Sequence, residues 1–317
     1  MKIAFFSEAN FTNKIPRSYR NMRTEYAWYV AANADHHCLF DLSSLQNSYD
    51  IGIVILPKKK IEHLPNDLFS ILKNKCKKVG MMQEGPNWYW QDYDIKIQIK
   101  YINYLNDWDF ILCHNKKDIN YYMAYAKNKL KVFVMPTLMI VDNLNFSPNK
   151  KNIAMIGGNY CSWYSGFDSW IVYNSIDNVD NFMKPAMYYM KPEEKLVNDG
   201  ITLDYLNWQD WMEQLSECKY GIHMMKTFAA GTFALNCAYL GIPCIGYDYL
   251  DTQRLCHPNT TVSICDVNSA QNIANRLSND STFYKLCSKT ARQAWKKNFD
   301  ENTWRNKMKV TFEKILK

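Results

Sequence analysis

Apolar residues in this chain fall in short, nearly unbroken runs separated by longer mixed stretches, a pattern that predicts buried parallel strands alternating with helices. In the first half the runs lie at 2–7, 38–42, 51–56, 78–82, 109–114 and 131–136, with helices expected from about 16 to 34 and over 115–129. Six strands alternating with helices read as a doubly wound Rossmann-like domain. The polar stretch 142–151 is the expected linker. Beyond it the pattern resumes, with a strand at 152–156, a helix at 207–218 carrying Trp208, Trp211 and Leu215 on one face, a helix at 251–256 and a strand at 261–265. Periodicity does not decide 169–175 or 182–189, and 268–316 reads as helix in at least three pieces. The predicted fold class is α/β: two Rossmann-like doubly wound domains facing a cleft, over 1–143 and 152–296, with 297–317 as a helix crossing back to the first domain.

One stretch, 220–251, is the most informative. It reads as a strand (221–225), a small-residue turn (Ala229, Ala230, Gly231, Thr232), a helix, and a second strand at 243–247. Gly231 offers flexible backbone, Thr232 a capping hydroxyl, and Gly241 followed by Pro243 a stop. Strand, tight turn, helix and strand make one βαβ unit, hence a parallel pair. Such a turn brings free N–H groups and a helix N-terminus to the carboxyl end of a strand, where an anion is stabilised. Phosphate is the expected anion. A second backbone-rich turn, Gly157-Gly158, follows the strand at 152–156.

The run Asn236-Cys237-Ala238-Tyr239-Leu240-Gly241-Ile242-Pro243-Cys244-Ile245 resembles the Glu-Ala-Met-Ala-x-Gly-x-Pro-Val-Ile segment of GT-B glycosyltransferases. That resemblance covers 219–248 in motif and nearly the whole chain in layout. It implies a nucleotide-sugar donor in the second domain, held at Gly157, Gly158, Lys226, Ala230, Gly231 and Thr232, with Asn236, Tyr247 and Asp248 near the ribose or base. Asn236 stands where the family has a ribose-binding Glu; an amide still bonds a diol but without the charge. The layout is also similar to the phage DNA β-glucosyltransferases, which place a catalytic acid directly after the fourth strand, where Glu84 stands here. They share the Gly-Gly turn, but their donor-binding arginines have no counterpart in 159–166.

Glu84 opens the loop Gln83-Glu84-Gly85-Pro86-Asn87-Trp88-Tyr89-Trp90 at a strand's carboxyl edge, where open α/β sheets bind ligands. Trp88 and Trp90 read as aromatic walls of an acceptor pocket, and His114 ends the fifth strand. Arg17, Arg20 and Arg23, spaced by three, would share one helix face and suit phosphates. A net charge of +7 is consistent with an anionic partner.

Other chemistry finds little support. No phosphate-binding G-x-x-x-x-G-K-[ST], dinucleotide G-x-G-x-x-G or nucleophile-elbow motif occurs. The ten cysteines are scattered without C-x-x-C, as expected of reduced thiols rather than a zinc site. His36-His37 are adjacent and diverge, and 92–94 and 107–109 match D-x-D only in the bare pattern, so no metal and no cofactor is expected. No long apolar run suggests a membrane span, no signal peptide is seen, and no amphipathic apolar patch stands out. The expectation is a monomeric, cytoplasmic enzyme (host cytoplasm if viral).

The combined reading is a glycosyltransferase, inverting and metal-independent, moving a hexose or pentose from a UDP-sugar to a hydroxyl. Glu84 would take the acceptor's proton. The leading acceptor is a hydroxymethylated pyrimidine in double-stranded DNA. The alternatives are a cell-envelope glycan or lipid-linked sugar, or a non-catalytic nucleotide-sugar-binding protein.

Overall fold

The computed structural model describes residues 1–317 apart from 10, 12–13, 20, 44, 58–60, 84, 86–89, 91–92, 126–130, 143, 145, 147–148, 159–165, 186–200 and 204–205. The chain divides into two compact units, Met1–Ile140 with Phe228–Ala230 and Glu301–Lys317, and Val141–Thr227 with Gly231–Asp300.

In the first unit β1 (Ile3–Ser7), β2 (Asp35–Cys38), β3 (Tyr49–Leu56), β4 (Cys76–Gln83), β5 (Phe110–Cys113) and β6 (Lys131–Val134) form a sheet ordered β2-β1-β3-β4-β5-β6. Every neighbouring pair is parallel. Such a sheet is covered on both faces, which is why 51–56 of β3 and 79–82 of β4 read as continuous apolar runs. Helices α1 (Thr24–Ala31), α2 (Leu68–Lys73), α3 (Ile95–Asp107), α4 (Asp118–Tyr125) and, from the far end of the chain, α11 (Glu301–Leu316) complete this unit.

Two sequence expectations are corrected here. The second strand lies at Asp35–Cys38, upstream of the apolar run at 38–42, because its histidines satisfy their polar atoms inside the fold. His36 Nε2 meets Ser7 Oγ at 2.9 Å and His37 Nε2 meets the Tyr49 hydroxyl at 2.8 Å, and burial lowers both pKa values. Nor does the first helix begin near 16. Arg23 is its extended N-cap (φ −135°, ψ 160°), so Arg17 and Arg23 precede it and share no helical face.

In the second unit β7 (Lys151–Ile156), β8 (Asn181–Pro185), β9 (Ile201–Leu203), β10 (Cys218–His223), β11 (Cys244–Tyr247) and β12 (Thr261–Val262) give the parallel order β12-β11-β10-β7-β8-β9. Residues 169–173 prove helical within α5 (Gly166–Tyr173), with 174–175 in the turn that follows, and β8 takes up the start of the other undecided stretch. Then come α6 (Trp208–Ser216), α7 (Thr232–Leu240), α8 (Asp251–Cys256), α9 (Val267–Asn279) and α10 (Ser281–Asn298). The α7 C-terminus closes on Gly241 (φ 64°), where Ile242 N–H donates to Cys237 O at 2.8 Å. A side chain at Gly241 would strike Arg292 of α10, whose guanidinium donates to Leu240 O at 3.1 Å.

The strand order reverses between β10 and β7, which makes their carboxyl ends the topological switch point of this sheet.

Candidate functional site

At the switch point two glycine turns stand side by side. β7 and β10 pair in register (Gly221 with Met155, Ile222 with Ile156), and Gly157 N–H continues the ladder to Ile222 O at 2.8 Å. Gly158 then turns the chain with φ 81°. Gly157 has no room for a side chain: an added Cβ would lie 2.9 Å from the Phe233 ring and 3.0 Å from the His223 ring. β10 ends at His223, and after a short segment Gly231 (φ 73°) starts α7. A Cβ on Gly231 would fall 2.1 Å from Thr252 Oγ1, so both its backbone conformation and the space around it require glycine.

Thr232 is the first residue of α7 rather than its cap, and the helix opens without a side-chain cap bond. By contrast, Asn207 of α6, Asp266 of α9 and Asp280 of α10 fill the corresponding place with an oxygen. Among the described residues no side chain caps the first-turn N–H groups of α7, which lie at the positive end of the helix dipole and suit an anion. Beside them His223 is buried, and its Nδ1 has no partner among the described residues. Burial lowers its pKa to about 4, so the imidazole is neutral.

Lys226 lies three residues beyond β10 and pairs with Asp168 of α5, Nζ to Oδ2 2.6 Å. The same carboxylate oxygen accepts from the Tyr247 hydroxyl at 2.8 Å, and the ammonium sits 5.8 Å from the Tyr247 ring centre. Tyr247 is 1% exposed; burial, reinforced by its bond to Asp168, pushes its pKa up and keeps the phenol a donor. Asp248 continues β11, donating its N–H to Val262 O at 3.0 Å. Asn236 is 1% exposed. In the amide orientation that satisfies its surroundings it donates to Thr232 O at 3.1 Å and accepts from Trp211 Nε1 at 2.8 Å. Its polar atoms are thus used inside the unit.

In the first unit His114 follows β5 and is 9% exposed, edge-on to Trp28 at 5.2 Å. Burial lowers its pKa to about 4, against the opposing hydrogen bond with the Met135 backbone. It lines a hollow with Gln83, Gly85, Asp118, Tyr122 and the Phe228–Ala229 segment, where Asn115 Nδ2 donates to Ala229 O at 2.9 Å. Ala230, expected with the donor residues, belongs by its packing with this unit. Trp90 is 2% exposed and stacks on Tyr101 with ring centres 5.0 Å apart, so it is core rather than pocket wall. Arg17 grips Glu301 with both terminal nitrogens, at 3.0 and 2.7 Å. Glu84, Trp88 and Arg20 lie outside the described residues. Of the D-x-D aspartates, Asp94 caps α3 and Asp109 accepts from Lys73 and from Val79 N–H.

The sequence reading missed Asp168, His223 and Thr252. A polar residue ending an apolar strand, the feature that singled out His114, would have found His223. Nothing in the sequence links Asp168 to Lys226, since only the sheet order brings α5 beside the exit of β10.

No protein-family model matches the chain, and no curated protein matches it. Solved structures do. Anabaena Alr3699/HepE in complex with UDP-glucose superposes with a TM-score of 0.68 at 11% identity, over 99% of this chain and 100% of that one. Sucrose-phosphate synthase from Thermosynechococcus elongatus gives 0.66 at 11% identity, over 84% and 74%. The pneumococcal O-GlcNAc transferase GtfA, solved with UDP and GlcNAc, gives 0.63 at 10% identity, over 87% of this chain and 59% of that one. With two parallel doubly wound sheets and these neighbours, the chain has the fold of the GT-B glycosyltransferases.

Proposed function

We propose that the protein transfers a sugar from a UDP-sugar to a hydroxyl acceptor, with the donor's diphosphate seated where β7 and β10 end. The observation that carries this reading is the pair of glycine turns at Gly157-Gly158 and Gly231, which come with the N-terminus of α7, without a side-chain cap among the described residues, to the switch point of one sheet. The neighbours solved with UDP or UDP-glucose support the choice of nucleotide. In this mechanism the α7 N-terminus and Lys226 stabilise the charge that develops on the leaving diphosphate. Asn236 braces α7 from within. Glu84, the residue after the last of β4, is the proposed general base, taking the acceptor's proton as its oxygen attacks the anomeric carbon from the face opposite the nucleotide, with inversion.

The test is turnover with a panel of UDP-sugars, reading released UDP and the stereochemistry of any product. Wild type releases UDP from one of them, while Glu84→Gln retains UDP binding and loses at least a hundredfold in turnover. Binding without turnover in wild type, against every acceptor tried, would leave a nucleotide-sugar-binding protein.

On the acceptor, the arginine stripe that favoured DNA is not present as a helical face, and Arg17 is committed to Glu301. A different observation favours a lipid-linked or envelope acceptor. Ile95, Ile99 and Ile102 of α3 are 62%, 50% and 38% exposed and, at i, i+4 and i+7, form one apolar stripe. Flotation with anionic liposomes tests it: wild type floats and Ile95→Asn/Ile99→Asn does not. Transfer to hydroxymethylated DNA without flotation would reverse the choice.

A further inference from the structure

The pair Lys226–Asp168 is placed where it can do more than hold the fold together. β11, β10 and β7 are adjacent in the sheet, and Tyr247, Lys226 and Asp168 come from the carboxyl side of each in turn. Met224 N–H donates to Ser169 Oγ at 3.0 Å, which ties the first turn of α5 to the exit of β10 and fixes Asp168 opposite Lys226. The carboxylate is the more enclosed partner, at 14% side-chain exposure against 33% for the ammonium. Among the described residues Lys226 is the cation that the exit of β10 presents, and it is already neutralised. A diphosphate at the switch point must either share this lysine with Asp168 or take it away.

We propose that Asp168 is a positioning residue that acts as the exchangeable counter-ion of Lys226. It holds the ammonium over the strand ends while the site is empty, yields it to the donor's diphosphate, and takes it back as the nucleoside diphosphate leaves. This rests on the donor reading above. The Tyr247 hydroxyl keeps the carboxylate in place during the exchange, so the lysine moves and the acid does not. Because the diphosphate must win the ammonium from this carboxylate, and the carboxylate reclaims it, the exchange weakens product binding and speeds release. Asp168 therefore lowers UDP affinity, and Lys226 is the residue through which most of that effect passes.

A double-mutant cycle read by calorimetric titration with UDP tests this. Lys226→Ala weakens UDP binding at least tenfold. Asp168→Asn, which keeps the size and an acceptor oxygen, strengthens it at least threefold, and Asp168→Ser acts in the same direction. In the Lys226→Ala background Asp168→Asn changes affinity by less than twofold. In steady state Asp168→Asn lowers KM for the donor and lowers kcat, a split that a merely structural role does not produce. Unchanged or weaker UDP binding by Asp168→Asn overturns the proposal, as does an equal gain with Lys226 absent. Failure of wild type to bind UDP overturns instead the donor reading on which the proposal rests.

Discussion

Trp28 and Trp304 donate their indole N–H groups to one carbonyl, Pro136 O, at 3.1 and 2.9 Å. Their rings lie 5.7 Å apart, and Trp304 is 0% exposed. The last helix of the chain is thereby bound to the helix after β1, beside the end of β6, and Arg17 with Glu301 repeats the connection at the surface. Glu301 also receives Arg305, and Arg17 and Arg305 together hold its pKa below the usual carboxylate value.

Sharing one acceptor makes the two tryptophans interdependent. Trp304→Phe costs about 1–2 kcal/mol, because Pro136 O keeps the Trp28 donor. Trp28→Phe/Trp304→Phe costs more than the sum of the singles, since the buried carbonyl then has neither donor. Urea unfolding of the three variants measures both.

Gly231→Ala combines a strained left-handed backbone with a collision on Thr252 Oγ1. The expected loss is roughly 2–4 kcal/mol of stability. Because α7 can relieve the clash only by shifting its first turn, UDP affinity falls at least tenfold even where the variant stays folded. Thermal unfolding and UDP titration on the same sample separate the two effects.

Stability should fall on acidification through the range of histidine titration. Cys244 N–H donates to Nδ1 of His257 at 3.3 Å, and Nε2 faces Ala234 O at 2.9 Å, a geometry that only the neutral ring with its proton on Nε2 satisfies. Burial lowers His257, His223 and His114 each to about 4. The unfolded chain binds these protons near pH 6.5 and the folded chain does not. Stability is therefore complete above about pH 6.5 and is lost as pH falls towards 4, by up to about 1.4 kcal/mol per pH unit for each histidine. Urea midpoints at several pH values across that window give the slope, and His257→Gln reduces it.

Asn236→Ala removes the acceptor of the buried Trp211 N–H. The expected cost is about 1–3 kcal/mol of stability, with UDP affinity changed less than threefold. A loss of affinity much larger than that, in a variant of near wild-type stability, would return Asn236 to the donor's ribose.

The α/β architecture was legible because the buried cores of parallel strands must be apolar, and 51–56, 79–82 and 243–247 carry that mark without ambiguity. The Gly231-to-Gly241 helix was legible too, since positive φ at both ends demands glycine. Strand β2 was not, because Asp35, His36 and His37 look polar until Ser7 and Tyr49 are brought to them by the sheet. Helix α3 was hidden by Ile95, Ile97 and Ile99, whose alternation has the period of a strand. Asp94 caps it and Tyr101, Tyr104 and Leu105 bury one face, which leaves the isoleucine stripe outside. The site shows the same division. Its glycines were readable from local backbone needs, whereas the Asp168–Lys226 pair, the Trp211–Asn236 bond and the burial of Trp90 depend on residues far apart in the chain.

The central claim is that the end of β10 and the start of α7 seat a nucleoside diphosphate. Calorimetric titration of the wild-type protein with UDP, followed by displacement with UDP-glucose, tests it most directly. The account predicts saturable binding of UDP that UDP-glucose competes away and that Lys226→Ala weakens at least tenfold. Absence of saturable binding at millimolar UDP, or binding indifferent to both Lys226→Ala and Gly231→Ala, would contradict it.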